Sequence, residues 1–227
     1  MSSVLIFGTS SFSEVLAETI AQDSPEINLK GFILNDEYYT NENFSDRKVY
    51  KYSELKNYFS PNDTEILVSI GYTNMNINRE KIFTLLKSDG WKIASYINPK
   101  ATIRTSSIGI GNIILDAVNI GVKAQIGDGN IFYNNGILSH HSKIGNFNYF
   151  APCVAIAGHV NIANRCFFGI NCSVANGVNI SDETLVGAGC YISKDTKFGE
   201  VYRAAKPLIY TDSKVISKIY LKWNGSI

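Results

Sequence analysis

The chain has 227 residues, 45% of them hydrophobic and 18% charged, with 21 Lys and Arg against 20 Asp and Glu and a net charge of +1. That length allows one or two globular domains, and no basic run is long enough to neutralise several phosphates, which excludes nucleic acid as a partner. The stretch Met1 to Gly8 lacks a basic flank and its apolar run is too short for a signal peptide or a membrane span, so the sequence predicts a soluble, cytoplasmic protein.

Val4 to Phe7, short and apolar, predicts a strand that runs into the tight loop Gly8-Thr9-Ser10-Ser11-Phe12-Ser13-Glu14. A helix follows through Val15, Leu16, Ile20 and Ala21. Asn28 to Leu34 predicts a second strand ending at Asn35-Asp36, and Ile66 to Ile70 a third ending at Gly71-Tyr72. Asn78 to Lys87 reads as helix and Trp91 to Ile97 as a further strand. Strands alternating with helices predict a small Rossmann-like parallel α/β unit. Ligands of such sheets sit at the carboxyl ends of the strands, so Gly8 to Phe12, Asn35-Asp36 and Gly71-Tyr72 would line one crevice. The loop has Gly8 alone in place of GxGxxG, which argues against a dinucleotide. Its N–H groups and the Ser10 and Ser11 hydroxyls suit a phosphate, or else they only cap the helix.

The pattern changes near Asn98-Pro99, which divides the chain into 1–98, 99–203 and a tail, 204–227. From Ile108, steps of six meet an apolar residue at all sixteen positions to Phe198, and the next residue is usually small. This is the hexapeptide signature of a parallel β-helix, and it lacks the 3.6 period of an α-helix. With three hexads per coil, residues eighteen apart stack in three apolar columns, in about five coils. One column runs Ile108, Ile126, Ile144, Ile162, Ile180, Phe198; the others start at Ile114 and Ile120. Cys166, Cys172 and Cys190 fall at inward fifth positions as free thiols filling the core, while Cys153 faces outward. Val215, Ile216, Ile219, Tyr220 and Trp223 have helical spacing and predict a helix capping the open end of the solenoid.

All three histidines lie in the repeat: His140 and His141 at one corner, and His159 eighteen residues after His141. Imidazole is the side chain suited to accept a proton near neutral pH. Gly158, stacked on His140, leaves a backbone N–H open as an oxyanion donor.

At these residues the chain resembles the bacterial nucleotide-sugar acyltransferases of the NeuD/PglD type. The resemblance rests on Leu138-Ser139-His140-His141-Ser142-Lys143-Ile144-Gly145, Phe168-Gly169-Ile170-Asn171, the junction Asn98-Pro99-Lys100-Ala101 and the Gly8-x-Ser10 loop. It implies a left-handed β-helix, a homotrimer with sites between the prisms, acetyl-CoA or another acyl-CoA as co-substrate, and no metal. The implied reaction is N-acylation of a nucleotide-linked amino-deoxysugar for surface polysaccharide such as O-antigen. His140 would be the general base with His141 beside it. Gly158 would face the acyl carbonyl, and the Ile170 and Ala188 amides would grip the pantetheine arm. Gly8, Ser10, Phe12, Asn35, Asp36 and Tyr72 would bind the acceptor. The acidic residue that often follows the catalytic histidine in that family is here His141, and the family's glycine-rich loop is here Ser11-Phe12-Ser13. Three other readings stay open: O-acylation, a zinc-dependent hydratase using all three histidines, and a non-catalytic nucleotide-sugar-binding scaffold.

Overall fold

The computed structural model describes residues 3–206 and Ile209; the expected capping helix in the tail lies outside the described residues. The N-terminal unit runs β1 (Ser3–Phe7), α1 (Ser11–Asp23), β2 (Leu29–Leu34), β3 (Asn43–Phe44), β4 (Arg47–Lys51), β5 (Thr64–Val68), α2 (Ile77–Ser88) and β6 (Lys92–Ile93). The strands form one sheet in the order β3-β4-β2-β1-β5-β6, parallel except for the β3–β4 hairpin. That hairpin is absent from the sequence reading, because its two-residue outer strand carries no alternating pattern. The strand expected over Trp91 to Ile97 is two strands. Lys92–Ile93 completes the first sheet, and β7 (Tyr96–Ile97) pairs with Ile113–Ile114 as the first rung of the second unit.

From β7 onward the chain is a left-handed parallel β-helix of two-residue strands in three walls. The first wall stacks Ile126, Ile144, Ile162 and Ile180, the second Ile114, Phe132, Phe150, Phe168 and Val186, the third Ile120, Leu138, Ile156, Val174 and Ile192. These side chains, with the buried Cys166, Cys172 and Cys190, make one continuous core. The Phe132, Phe150 and Phe168 rings stack with planes 4° apart. The eighteen-residue spacing fails only at the ends. Tyr96 pairs with Ile113 after seventeen residues, and Leu185 with Val201 after sixteen. The shortened last coil overturns the expected place of Phe198 in the first column, since Phe198 is 68% exposed and Thr196 is 6% exposed. Thr196 N–H donates to the Asn179 carbonyl and its hydroxyl accepts from Ser181 N–H, which closes the coil two residues early.

From Gly111 to Gly189 each corner turns on the fourth residue of a hexad in the left-handed φ region, and ten of these are not glycine, among them Lys123, Asn135, His141, Cys153 and His159. Such residues are strained in isolation. From Asn135 onward the N–H of each bonds the preceding coil, as His141 N–H does to Val122 O at 3.1 Å and His159 N–H to His140 O at 3.0 Å. The corner between the first and second walls carries two further ladders. In the buried one Asn112 accepts from Asn130, Asn130 from Asn148, and Asn148 from Cys166 N–H. The parallel ladder of Asp128, Asn146, Asn164 and Asp182 takes the N–H groups of Ile110, Asp128, Asn146 and Asn164.

The α/β unit docks on the second wall, whose outward residues Ile113, Ile131 and Tyr149 join Phe12, Leu16 and Ile20 in a shared core. Arg79 of α2 is buried at this junction, and burial pushes its guanidinium down to about 9, still charged at neutral pH. It donates to the carbonyls of Gly129, Phe147 and Asn148 in the coils and of Ile70 and Gly71 beyond β5, at 2.9–3.1 Å. Asn76, before α2, adds a bond to Cys166 O at 3.1 Å.

Candidate active site

The corner where the third wall turns into the first stacks Val122-Lys123, His140-His141, Gly158-His159 and Asn176-Gly177. His141 and His159, both at left-handed positions, lie face to face, ring centres 4.8 Å apart and planes 13° apart. His140, at the third position, crosses both nearly at right angles. Its Nδ1 stands 3.1 Å from His141 Nδ1, so one of these nitrogens carries the proton and the other accepts it. Desolvation, then the charges of His159, Lys123 and His140, hold His141 below the ordinary imidazole value. A neutral ring keeps the lone pair that this hydrogen bond needs.

The other edge of the His140 ring covers Gly158. A Cβ at Gly158 would fall 2.6 Å from His140 Cε1 and 2.9 Å from Nε2. Next in the stack, Asn176 Oδ1 is 3.1 Å from that same point, so Nε2 and the Asn176 amide border one small space over a bare backbone. The Gly158 N–H donates to nothing among the described residues.

Ile170 and Ala188 lie on a different corner, between the second and third walls, both exposed. The Ile170 carbonyl accepts from Gly189 N–H at 2.9 Å, while the N–H groups of Ile170 and Ala188 have no acceptor among the described residues. The equivalent N–H groups of Ile110, Asp128, Asn146 and Asn164 at the first-to-second corner are taken by the Asn and Asp ladder. A full wall separates Ile170 and Ala188 from His140 within one chain.

The ends of β1, β2 and β5 do converge. Gly8, Ser10, Phe12 and Tyr72 border a cleft of about 610 Å³ that Tyr133 and Tyr149 of the second wall complete. Gly8 adopts φ 120, and a Cβ there would press on Ser69 and Ser13 hydroxyls at 3.0–3.1 Å. Ser10 is the N-cap of α1 in a reciprocal box with Ser13, whose hydroxyl also bonds Ser69 at 2.7 Å. Ser10 therefore serves the helix, and the cleft receives the N–H end of α1. Phe12 packs on Tyr133 and forms floor. Tyr72 stands half exposed against Tyr149 and Phe167. Burial raises the Tyr149 and Tyr133 phenols, which stay neutral.

An adjoining cleft of about 470 Å³ is lined by Asn35, Glu37, Tyr38, Asn78 and Lys81 and shares Leu34, Tyr38 and Ile70 with the first. Asp36 borders neither. Its carboxylate accepts from the Ser53 hydroxyl at 2.5 Å and Ser53 N–H at 3.2 Å, and these bonds, the hydroxyl first, lower its pKa. The sequence reading misses Tyr133, Tyr149, Asn78 and Lys81. A signal for the tyrosines exists: the outward column of the second wall is apolar (Ile113, Ile131, Tyr149, Phe167), whereas that of the first is polar (Gln125, Lys143, Asn161, Asn179). An apolar outer column marks a covered wall.

No protein-family model matches the chain, and no curated protein matches it. Solved structures do. The acetyltransferase domain of PglB from Neisseria gonorrhoeae superposes with a TM-score of 0.77 at 20% identity, over 88% of this chain and 96% of that one, and has also been solved with acetyl coenzyme A. PerB from Caulobacter crescentus, in complex with CoA and GDP-perosamine, gives 0.73 at 23% identity over 89% and 92%. WeeI from Acinetobacter baumannii gives 0.79 at 18% identity over 88% and 96%. The shared property is the fold, an α/β unit followed by a left-handed β-helix. Among the described residues no helix is long and apolar enough to cross a membrane.

Proposed function

We propose that this chain is an acyl-CoA-dependent N-acyltransferase that moves an acetyl group, or a somewhat larger acyl group, onto the amine of a nucleotide-linked amino-deoxysugar, as a homotrimer. The observation that carries this reading is His140, held by His141 at 3.1 Å and lying across the side-chain-free Gly158. Similar folds are solved with acetyl coenzyme A and with CoA plus GDP-perosamine, and the latter protein is described as an N-acetyltransferase, which supports the same chemistry here.

In this mechanism His140 Nδ1–H donates to the neutral His141, which leaves the Nε2 lone pair facing the space over Gly158. The sugar amine attacks the thioester carbonyl, and a C–N bond forms as Nε2 takes the amine proton. The carbonyl oxygen, now negative, meets the Gly158 N–H. Collapse breaks the C–S bond, and the imidazolium returns its proton to the leaving sulfur, giving amide and free CoA. His141 takes the orienting part that an anion would otherwise play, as an acceptor kept neutral by its surroundings.

The places of the parts support a trimer. Within one chain the histidines, the free amides of Ile170 and Ala188, and the nucleotide cleft occupy separate edges of the prism. Three prisms set side by side would bring the edge bearing Ile170 and Ala188, and the 1–98 unit, of one copy against the histidine edge of the next. In this reading 1–98 recognises the acceptor through Gly8, Tyr72, Asn35 and the phosphate-suited end of α1, and 99–203 performs the transfer. Such a role fits cytoplasmic assembly of sugars for surface polysaccharide. The test is to incubate the protein with a panel of nucleotide-linked amino sugars and acyl-CoAs and detect acylated product by mass. No product with any pair, from protein shown to be folded, would reject the reading.

A further inference from the structure

The chain has three histidines, and all of them meet at one corner. One ring nitrogen from each of His140, His141 and His159 lies within 4.8 Å of the others, and all three side chains are exposed. Three imidazoles on a tetrahedral ion at about 2.0–2.1 Å stand roughly 3.4 Å from one another. The His140 and His141 δ nitrogens, at 3.1 Å, already match that spacing. His159 sits one coil along with its ring parallel to His141, and a turn of an exposed side chain brings its nitrogen in without disturbing the core.

We propose that His140, His141 and His159 bind one divalent transition ion, Zn2+ or the chemically similar Co2+, Ni2+ or Cu2+, and that this ion switches the corner off. An all-imidazole donor set suits these ions and excludes Mg2+ and Ca2+, which take oxygen ligands. The charge of Lys123, which acts on His141, opposes a cation at this corner. The inhibitory half rests on the acyl-transfer reading; the binding half does not. A neutral imidazole has one free lone pair. An ion on His140 Nδ1 moves the ring proton to Nε2, and an ion on Nε2 takes the lone pair directly. In both cases His140 can no longer accept a proton from an amine.

The test uses the full chain carrying Cys153→Ser, which removes the exposed thiol, after chelation and dialysis. Equilibrium dialysis is expected to give one Zn2+ per chain, and Co2+ in its place a visible band stronger than that of the aqua ion. Affinity is expected to fall at least tenfold in His141→Asn and in His159→Asn, with no uptake of Mg2+. Unchanged uptake in the double variant His141→Asn/His159→Asn, or no uptake by the parent, overturns the proposal. Product formation followed by mass is expected to stop with Zn2+ and return with chelator; transfer that continues on saturated protein overturns the inhibitory half. Zn2+ uptake at the corner without transfer by metal-free protein counts against the proposed reaction and leaves the site standing.

Discussion

His140 lies over Gly158 so closely that a single added carbon would meet its ring at 2.6 Å. Gly158 is not a left-handed position, so alanine there is compatible with the backbone, and the ring must give way. Gly158→Ala is therefore expected to lower kcat by about 10²-fold, the scale of a displaced general base, while a thermal melt shifts by no more than roughly 2 °C. Full activity in this variant would mean that the space over Gly158 is not where the amine reacts.

His140→Asn is expected to lower kcat by about 10²–10⁴-fold with acyl-CoA binding retained. His141→Asn keeps an acceptor for the His140 N–H and is expected to lose about tenfold or less, whereas His141→Phe keeps the ring stack, removes the acceptor and is expected to lose more. Steady-state kinetics on the three variants decide it. If His141→Asn is the inactive one, the two histidines exchange roles.

The His141 pKa is lowered in the folded chain, so below its unfolded value of about 6.5 the unfolded state takes up more protons than the folded one. Its contribution to stability is present above that pH and is lost as pH falls through the lower folded value. Protonation also removes its acceptor lone pair, so activity is expected to fall on the same acid limb, and His141→Asn is expected to flatten the limb of the melting profile. An unchanged melting limb would show that His141 does not titrate there.

Arg79 bonds five carbonyls from both units, and Arg79→Met leaves four of them, those of Gly129, Phe147, Ile70 and Gly71, without a donor among the described residues, since Asn148 O keeps the Ile131 N–H. The expected loss is about 3 kcal/mol or more, read as a fall in melting temperature of roughly 6–12 °C. A melt within 2 °C of the parent would contradict the docking described here.

The short final coil is tested by a pair of substitutions. Ile180→Ala, inside the first wall, is expected to cost about 2–5 kcal/mol, and Phe198→Ser, on the surface, less than about 0.5 kcal/mol. Comparable losses in denaturant titrations would restore Phe198 to the core.

The middle of the solenoid is legible because every rung from Ile113 to Ile192 keeps one spacing, so that counting by six and by eighteen names the core. At the ends the count misleads: a coil one residue short at Tyr96 and two residues short at Val201 pass unnoticed in a periodic reading, and Phe198 keeps its phase while losing its wall. The separation of the site was also legible, since Ile170 stands thirty residues after His140, not a multiple of eighteen. What spacing does not carry is side-chain choice. Asp36 sits at a strand end as expected and still turns to Ser53, because a hydroxyl and an N–H stand ready for it there.

The corners have a consequence for how such a protein can change. Asparagine, cysteine, arginine and histidine all hold the same left-handed turn, so the turn does not depend on which of them is present. Its conformation is imposed by bonds between the main chains of successive coils, and the side chain projects from a frame that has already been made. A histidine exchanged for an asparagine at such a place alters reactivity and leaves the rungs intact. Chemistry and stability are thereby assigned to different atoms of the same residues, which lets one triangular prism take up new substrates by replacing its edges while its walls stay as they are.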